Sequence, residues 1–261
     1  MNDGLIRAVP ISFRADMIER ILAAKKTQTR RIMTKQPPKG LALKVGRFYP
    51  TRVGKDGVET PGELTFGAYD DEGEWGLRCP YGAPGSLLWV REPWSAEDMG
   101  HNGVSILYKI DGSRRLFGWD RLPKGWTIPK VCSPRFMPRA IARLILKTTG
   151  VRAEPVGEIG QADVKAEGLT GVTKDGTLIK WGLPDKDGLP GNDDIGWPWS
   201  HWEADPKKAY ARLWDTIHPD EPDRFQDSPT VWVLDFSVTS QIGWQGTSPD
   251  ERVLLGIPVY R

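Results

Sequence analysis

The chain's apolar runs are short and far apart. "AVPISF" (8–13), "SLLWVRE" (86–92), "AIARLILKTT" (140–149) and "TVWVLDFSV" (230–238) each carry the length and patterning of a β-strand, and long polar stretches separate them. In 140–149, Ala142, Leu144 and Leu146 alternate with Arg143 and Lys147, the pattern of a half-buried strand. In 230–238, Trp232, Leu234, Phe236 and Val238 fall on one side. The Pro84-Gly85 pair announces the strand at 86. Helical patterning is confined to three places. Residues 14–24 put Met17, Ile18, Ile21 and Leu22 on one face. Residues 155–169 use Ile159, Ala162, Val164 and Ala166, with Gly168 as the stop. Residues 205–217 begin with an Asp205 cap and Pro206 and repeat Ala209, Leu213 and Ile217 every fourth position. Strands so dispersed, with so few helices, predict a β-rich mixed α/β fold: a small barrel with helices on its outside. No linker divides the chain, so one domain over 1–261 is expected. It has long insertions at about 36–78 and 170–204, the second with little regular structure, and a tail at 240–261 without an assignable role.

Composition removes several function classes. With 39% apolar residues in 261, a core is expected rather than disorder. The 36 basic and 34 acidic side chains leave a net charge of +2, too little for a protein that coats nucleic acid nonspecifically, so any such contact is local. Cys79 and Cys132, with three scattered histidines, make neither a disulfide framework nor a metal-ligand spacing, which predicts a reducing cytoplasm and no structural zinc. No run of about 18 apolar residues is present and the N-terminus lacks a signal-like apolar region, so no membrane partner and no export are expected. Twelve tryptophans are many for this length, and most are expected to fill the core.

The chemistry concentrates in "AKKTQTRR" (24–31), directly after the first helical pattern. Lys26 there is either a solvated cation at a helix C-terminus or a reactive amine. Lys25 and Arg30 read as a solvent-facing pair, and Arg31 as a ligand for a phosphate or carbonyl. Lys26 and Thr29 would lie on opposite faces of an ideal strand, so their convergence requires a turn at the helix end. In "SLLWVREPW", Trp89 and Trp94 are candidates for a stacking wall while Arg91 and Glu92 read polar edges of a base. Against this, Trp89 can be core and Arg91 can pair with a carboxylate. Arg135 and Arg139 in "SPRFMPRA" either line the same cleft or flank it. His101, His201 and His218 receive no role.

Taken in order, "ILAAKKTQTRR", "PGSLLWVREPW", "SPRFMPRAIARLIL", "EIGQADVKAEGL" and "VWVLDFSV" resemble the ASCH domain family of the PUA-like superfamily, especially its longer phage-associated members. The resemblance spans about 8–169 and 205–239. It implies a PUA-like β-barrel, a cleft for a nucleobase or RNA, and no cofactor. Some small bacterial members are amidohydrolases that remove the acetyl group of 4-N-acetylcytidine with a Lys, a Thr and a Glu. Their K-T-x-T-x-R segment falls on Lys26, Thr27, Gln28, Thr29, Arg30 and Arg31, and their Glu on Glu167 in "DVKAEG". The implied catalytic set is therefore Lys26, Thr29 and Glu167, with Arg31, Trp89, Arg91, Glu92 and Trp94 binding substrate. The implied activity is metal-independent hydrolysis of the linear amide of a 4-N-acylated cytosine, as free nucleoside or base. This chain is more than twice as long as the small enzymes, so its substrate can differ from theirs. The alternative is a non-catalytic domain binding RNA or a modified base. A nuclease is weaker still, because no cluster of metal-binding carboxylates is evident.

Overall fold

A computed structural model describes residues 5–191 and 196–240, so the tail after Ser240 lies outside the described residues. In chain order, β1 (Ala8–Ser12), α1 (Ala15–Leu22) and β2 (Gln28–Ile32) lead into β3 (Lys44–Phe48), β4 (Thr51–Val53), β5 (Glu59–Pro61), β6 (Thr65–Tyr69) and β7 (Gly76–Arg78). Next come β8 (Leu87–Arg91), β9 (Trp94–Asp98), β10 (Val104–Tyr108), β11 (Arg114–Phe117) and β12 (Ile145–Pro155). The order closes with α2 (Gln161–Ala166), β13 (Thr170–Thr173), β14 (Ile179–Gly182), α3 (Pro206–Ile217) and β15 (Thr230–Ser240). The fold is β-rich with few helices, and among the described residues no sheet closes on itself. The chain separates into two compact units. Among the described residues, the first gathers 5–24, 84–148 and 236–240, and the second gathers 25–83, 149–191 and 196–235.

In the first unit β1 runs parallel to β8, with Ala8 opposite Leu87 and Ser12 opposite Arg91, and the first residues of β12 lie antiparallel on β8. Gly85 makes the turn into β8 at φ 96°, a conformation that favours glycine. α1 buries Met17, Ile18 and Ile21, as its periodicity requires, and Ala24 follows it at φ 54°. The antiparallel sheet β9–β10–β11 packs Trp94, Val104, Ile106 and Tyr108 against Met137 and Ile141.

The patterning of 140–149 is corrected here. Arg139–Ile141 form a 3-10 turn and the strand begins only at Ile145, so alternation does not place Arg143 in solvent. Its guanidinium is buried and grips Glu92 with two hydrogen bonds of 2.8 and 2.7 Å. Arg143 also donates to Asp111 at 2.6 Å and to the Ser113 hydroxyl at 2.7 Å. Desolvation opposes the Asp111 charge, but the Arg143 and Ser113 hydrogen bonds outweigh it and hold the carboxyl at about 2. A depressed carboxyl stabilises the fold above its unfolded value and loses that contribution as pH falls through its folded value. Between about pH 4 and pH 2 the wild type should therefore lose stability that Asp111→Asn has already lost. Urea midpoints of the two proteins should converge across that window.

In the second unit β15 pairs antiparallel with β2, Leu234 opposite Thr29, and has the later part of β12 as its other neighbour. Both faces of β15 are covered. Val231 and Val233 are as buried as Trp232 and Leu234, so this segment is a central strand rather than a one-sided one. β3–β6–β7 form a small antiparallel sheet, and β4–β5 a fully exposed hairpin. α3 starts as expected, the Asp205 carboxylate accepting from Lys207 N at 2.8 Å with Pro206 in the first turn. It buries Ala209, Tyr210, Leu213 and Trp214, whereas Ile217 is exposed.

Residues 170–204 hold the β13–β14 hairpin, where the sequence predicts little regular structure. Gly182 lies under the buried Trp202 ring, and a Cβ there would sit 2.6 Å from a ring carbon. Gly182→Ala should therefore destabilise the protein by about 1–3 kcal/mol through overpacking. A urea midpoint unchanged from wild type would refute this packing role.

Candidate functional site

Lys26, Thr29, Arg31 and Glu167 all belong to the second unit. Lys26 precedes β2, and Thr27 N donates to Ala166 O at 2.8 Å, tying this segment to the end of α2. α2 stops at Ala166 and Gly168 follows at φ 104°, which leaves Glu167 as the cap residue. Lys26 Nζ then donates to the Glu167 main-chain oxygen at 2.9 Å and to Glu167 Oε2 at 2.5 Å, both groups buried. A turn at Ala24 ends α1, but it precedes both Lys26 and Thr29. Among the described residues, no hydrogen bond joins Lys26 Nζ to the Thr29 hydroxyl.

Two influences compete at Lys26. Burial lowers its pKa, the charge and hydrogen bond of Glu167 raise it, and Arg31 and Arg30 lower it again; the balance falls below the ordinary lysine value. The arrangement suits an amine that is neutral part of the time. A neutral amine has two N–H bonds, which can satisfy Glu167 O and Oε2, and one lone pair left to take a proton.

The other oxygen of Glu167 meets residues with no expected role. Arg30 Nη1 lies 3.3 Å from Oε1 and the Tyr210 hydroxyl 3.4 Å from it. Burial first, and then the Glu167 charge, push the Tyr210 phenol well above its usual value, so it remains a donor. Arg30 is thus corrected. Its side chain is fully buried, because strand alternation puts it beside Gln28 and facing α2, where carboxylates from β12 and α2 surround it. Thr29 is buried at the neighbouring position of β2, and Arg31, half-buried beyond it, is close enough for its charge to act on Lys26. Burial lowers the Arg31 pKa, against the Tyr81, Glu167 and Tyr210 groups around it. It remains a cation, as guanidinium does in proteins.

The four remaining candidates lie in the first unit. Trp94 is fully buried, its indole N–H donating to Ser133 O at 2.9 Å, and Glu92 is fully buried against Arg143. Neither has exposed surface for a base to stack on or bond to, so the expected stacking wall does not extend to them. Burial raises the Glu92 pKa even against its Arg143 partner. Trp89 and Arg91 are half-buried. The Arg91 guanidinium sits 6.0 Å from the Trp89 ring centre, and its Nη1 reaches Arg135 O at 3.3 Å.

Among the described residues, no three His, Cys, Asp or Glu side chains converge as a metal site, and no helix is long and apolar enough to cross a membrane. No family model, no curated protein and no solved structure matches the chain.

Proposed function

We propose that this chain is a metal-independent amidohydrolase that removes the acyl group from the exocyclic amine of a 4-N-acylated cytosine, as nucleoside or base. The observation that carries the reading is the buried Lys26 amine, lowered in pKa and held on both sides by Glu167. Lys26 as the neutral amine takes the Thr29 proton, and the Thr29 oxygen attacks the acyl carbon. When the tetrahedral intermediate collapses, the C–N bond breaks and the Lys26 ammonium returns the proton to the leaving amine. Water then releases the acyl group as a carboxylate. Glu167, with donors on both oxygens, orients Lys26. Arg31, two residues beyond Thr29 on β2, faces the carbonyl or the base. An ASCH domain over the whole chain, its PUA-like barrel and a cytoplasmic setting belong to the same proposal.

A second reading, a non-catalytic RNA-binding domain, is favoured by one feature of the second unit. The Lys174 and Lys180 ammoniums lie 4.5 and 5.1 Å from the Trp199 ring centre, a pairing of cations and a π-face that suits a single strand. Salt separates the two readings. A strand held through its phosphates loses about 0.7 log units of affinity per tenfold salt for each phosphate neutralised, whereas an uncharged nucleoside releases no counterions. Incubation with 4-N-acetylcytidine should yield cytidine and acetate at a rate nearly constant from low to moderate salt. Tight, steeply salt-dependent binding of single-stranded RNA without turnover would replace the enzyme with the binding domain.

A further inference from the structure

Arg30 lies at the centre of an ion cluster in the second unit that the proposed chemistry does not use. Its Nη2 donates to Glu154 at 2.7 Å and to Asp163 at 2.9 Å, while Nη1 reaches Gln28 Oε1 at 2.5 Å and Glu167 Oε1 at 3.3 Å. Gln28 is fixed in turn, its amide donating to Asp163 at 2.9 Å and to Asp235 at 2.7 Å. Toward solvent, Arg152 closes the cluster with contacts of 3.0 Å to Glu154, 2.6 Å to Asp163 and 3.1 Å to Asp235. The cluster therefore grades from a buried guanidinium to half-exposed ions.

We propose that Arg30 is the positioning residue of this site. It clamps Glu167 against Lys26, and the Glu154–Asp163–Asp235–Arg152 cluster serves to hold Arg30 in place rather than to bind a ligand. Three observations support this. Arg30 and Lys26 grip different oxygens of one carboxylate, so Glu167 cannot rotate without breaking an ion pair. The Tyr210 ring, its hydroxyl on the Arg30 side of Glu167, lies 5.7 Å from the Arg30 guanidinium and covers it. The four partners of Arg30 come from β2, β12, α2 and the cap after α2, so its position is fixed by several elements at once.

The groups that act on Lys26 are Glu167, Arg31 and Arg30. Arg30 bears on it in two ways, both of the same sign. Its like charge disfavours the ammonium, and by sharing Glu167 it weakens that carboxylate's hold on the ammonium. Removing the guanidinium charge should therefore make Lys26 easier to protonate.

The test is to titrate the Lys26 side chain by NMR in the full chain labelled with ε-13C lysine, its signal identified by its loss in Lys26→Arg. In Arg30→Gln the midpoint should rise by about one pH unit, and in Arg30→Lys, which keeps the charge, by much less. The kinetic consequence rests on the hydrolysis proposed above: Arg30→Gln should lower kcat about tenfold with KM little changed, as the loss of an outer-shell partner does. The rising limb of its pH–rate profile should move to higher pH, and Arg30→Lys should recover part of the rate. A Lys26 midpoint that is unmoved or lowered in a folded Arg30→Gln protein overturns the inference. A raised midpoint in a protein that leaves 4-N-acetylcytidine untouched upholds it and sinks only the substrate reading.

Discussion

Lys26→Ala should lower the hydrolysis of 4-N-acetylcytidine by about a hundredfold or more, the usual consequence of removing a general base from an otherwise intact site. Intact is the operative condition. The substitution leaves Glu167 with Arg30 and Tyr210, so its carboxylate is not orphaned and the fold should persist. Thr29→Ala should cost at least as much, because it removes the nucleophile itself, whose main chain is held on β2 by pairing with β15. If Lys26→Ala is inactive while Thr29→Ala keeps near-wild-type turnover, the attacking group is a lysine-activated water and the acyl-threonine step is wrong. The pH dependence has a definite sign. Only the neutral amine accepts the proton, so the rate should climb with pH through the lowered Lys26 value and then level off. An ordinary lysine would place that limb near 10.4. A limb below that position is the kinetic signature of burial outweighing Glu167, and one at or above it would remove Lys26 as the base.

Arg143→Ala should be among the most destabilising single substitutions in the first unit, at about 3–5 kcal/mol. Glu92 is 0% exposed, and with the guanidinium gone its carboxylate would lose both hydrogen bonds and keep only the more distant Arg115 charge, opposed by that of Asp111. The guanidinium carbon also lies 4.3 Å from the Tyr108 ring centre, so its loss removes packing as well as charge. The raised Glu92 pKa shows that burial is unfavourable to this carboxylate even when it is paired. A pair of this kind is poorly stabilising yet hard to break. Glu92→Met/Arg143→Met should accordingly be far more stable than Arg143→Ala, and close to wild type. Urea unfolding of the three proteins measures the difference. Equal losses in the single and double variants would mean that packing, not the uncompensated charge, dominates.

Local elements were legible wherever local physics decides them. The strand at Ala8–Ser12, the turn at Gly85, the stop at Gly168 and the Asp205 cap all follow from residues adjacent in sequence. What escaped was set by distant partners. Arg143 read as solvent-facing because alternation was extended across a 3-10 turn. Arg30 read the same way because nothing near it announces four acceptors, which arrive from residues 154, 163 and 167 and from Gln28. The fourfold spacing of Ala209, Leu213 and Ile217 passes over Tyr210. The buried face of α3 is wider than that single row and takes in Tyr210 and Trp214, as the face a helix buries commonly does. Trp94 and Glu92 show the converse error. An aromatic beside a charge suggests a base-binding wall, but only burial distinguishes a wall from a core. The chain passes between the two units at residues 24–25, 83–84, 148–149 and 235–236, and the last two crossings fall inside β12 and β15, where no linker marks them.

The Lys26–Glu167 pair also has a consequence in time. The partners are 141 residues apart, so a ribosome that has just made Lys26 must run on for roughly 7 to 28 seconds before it makes Glu167, at 5–20 residues per second. Throughout that interval the nascent amine has neither the main-chain oxygen nor the carboxylate that later holds it, and an unpaired lysine stays in water. β2 faces a longer wait, because its neighbour β15 is the last of the strands among the described residues. A truncated product ending anywhere before residue 167 therefore carries Lys26 without the carboxylate that holds it in place.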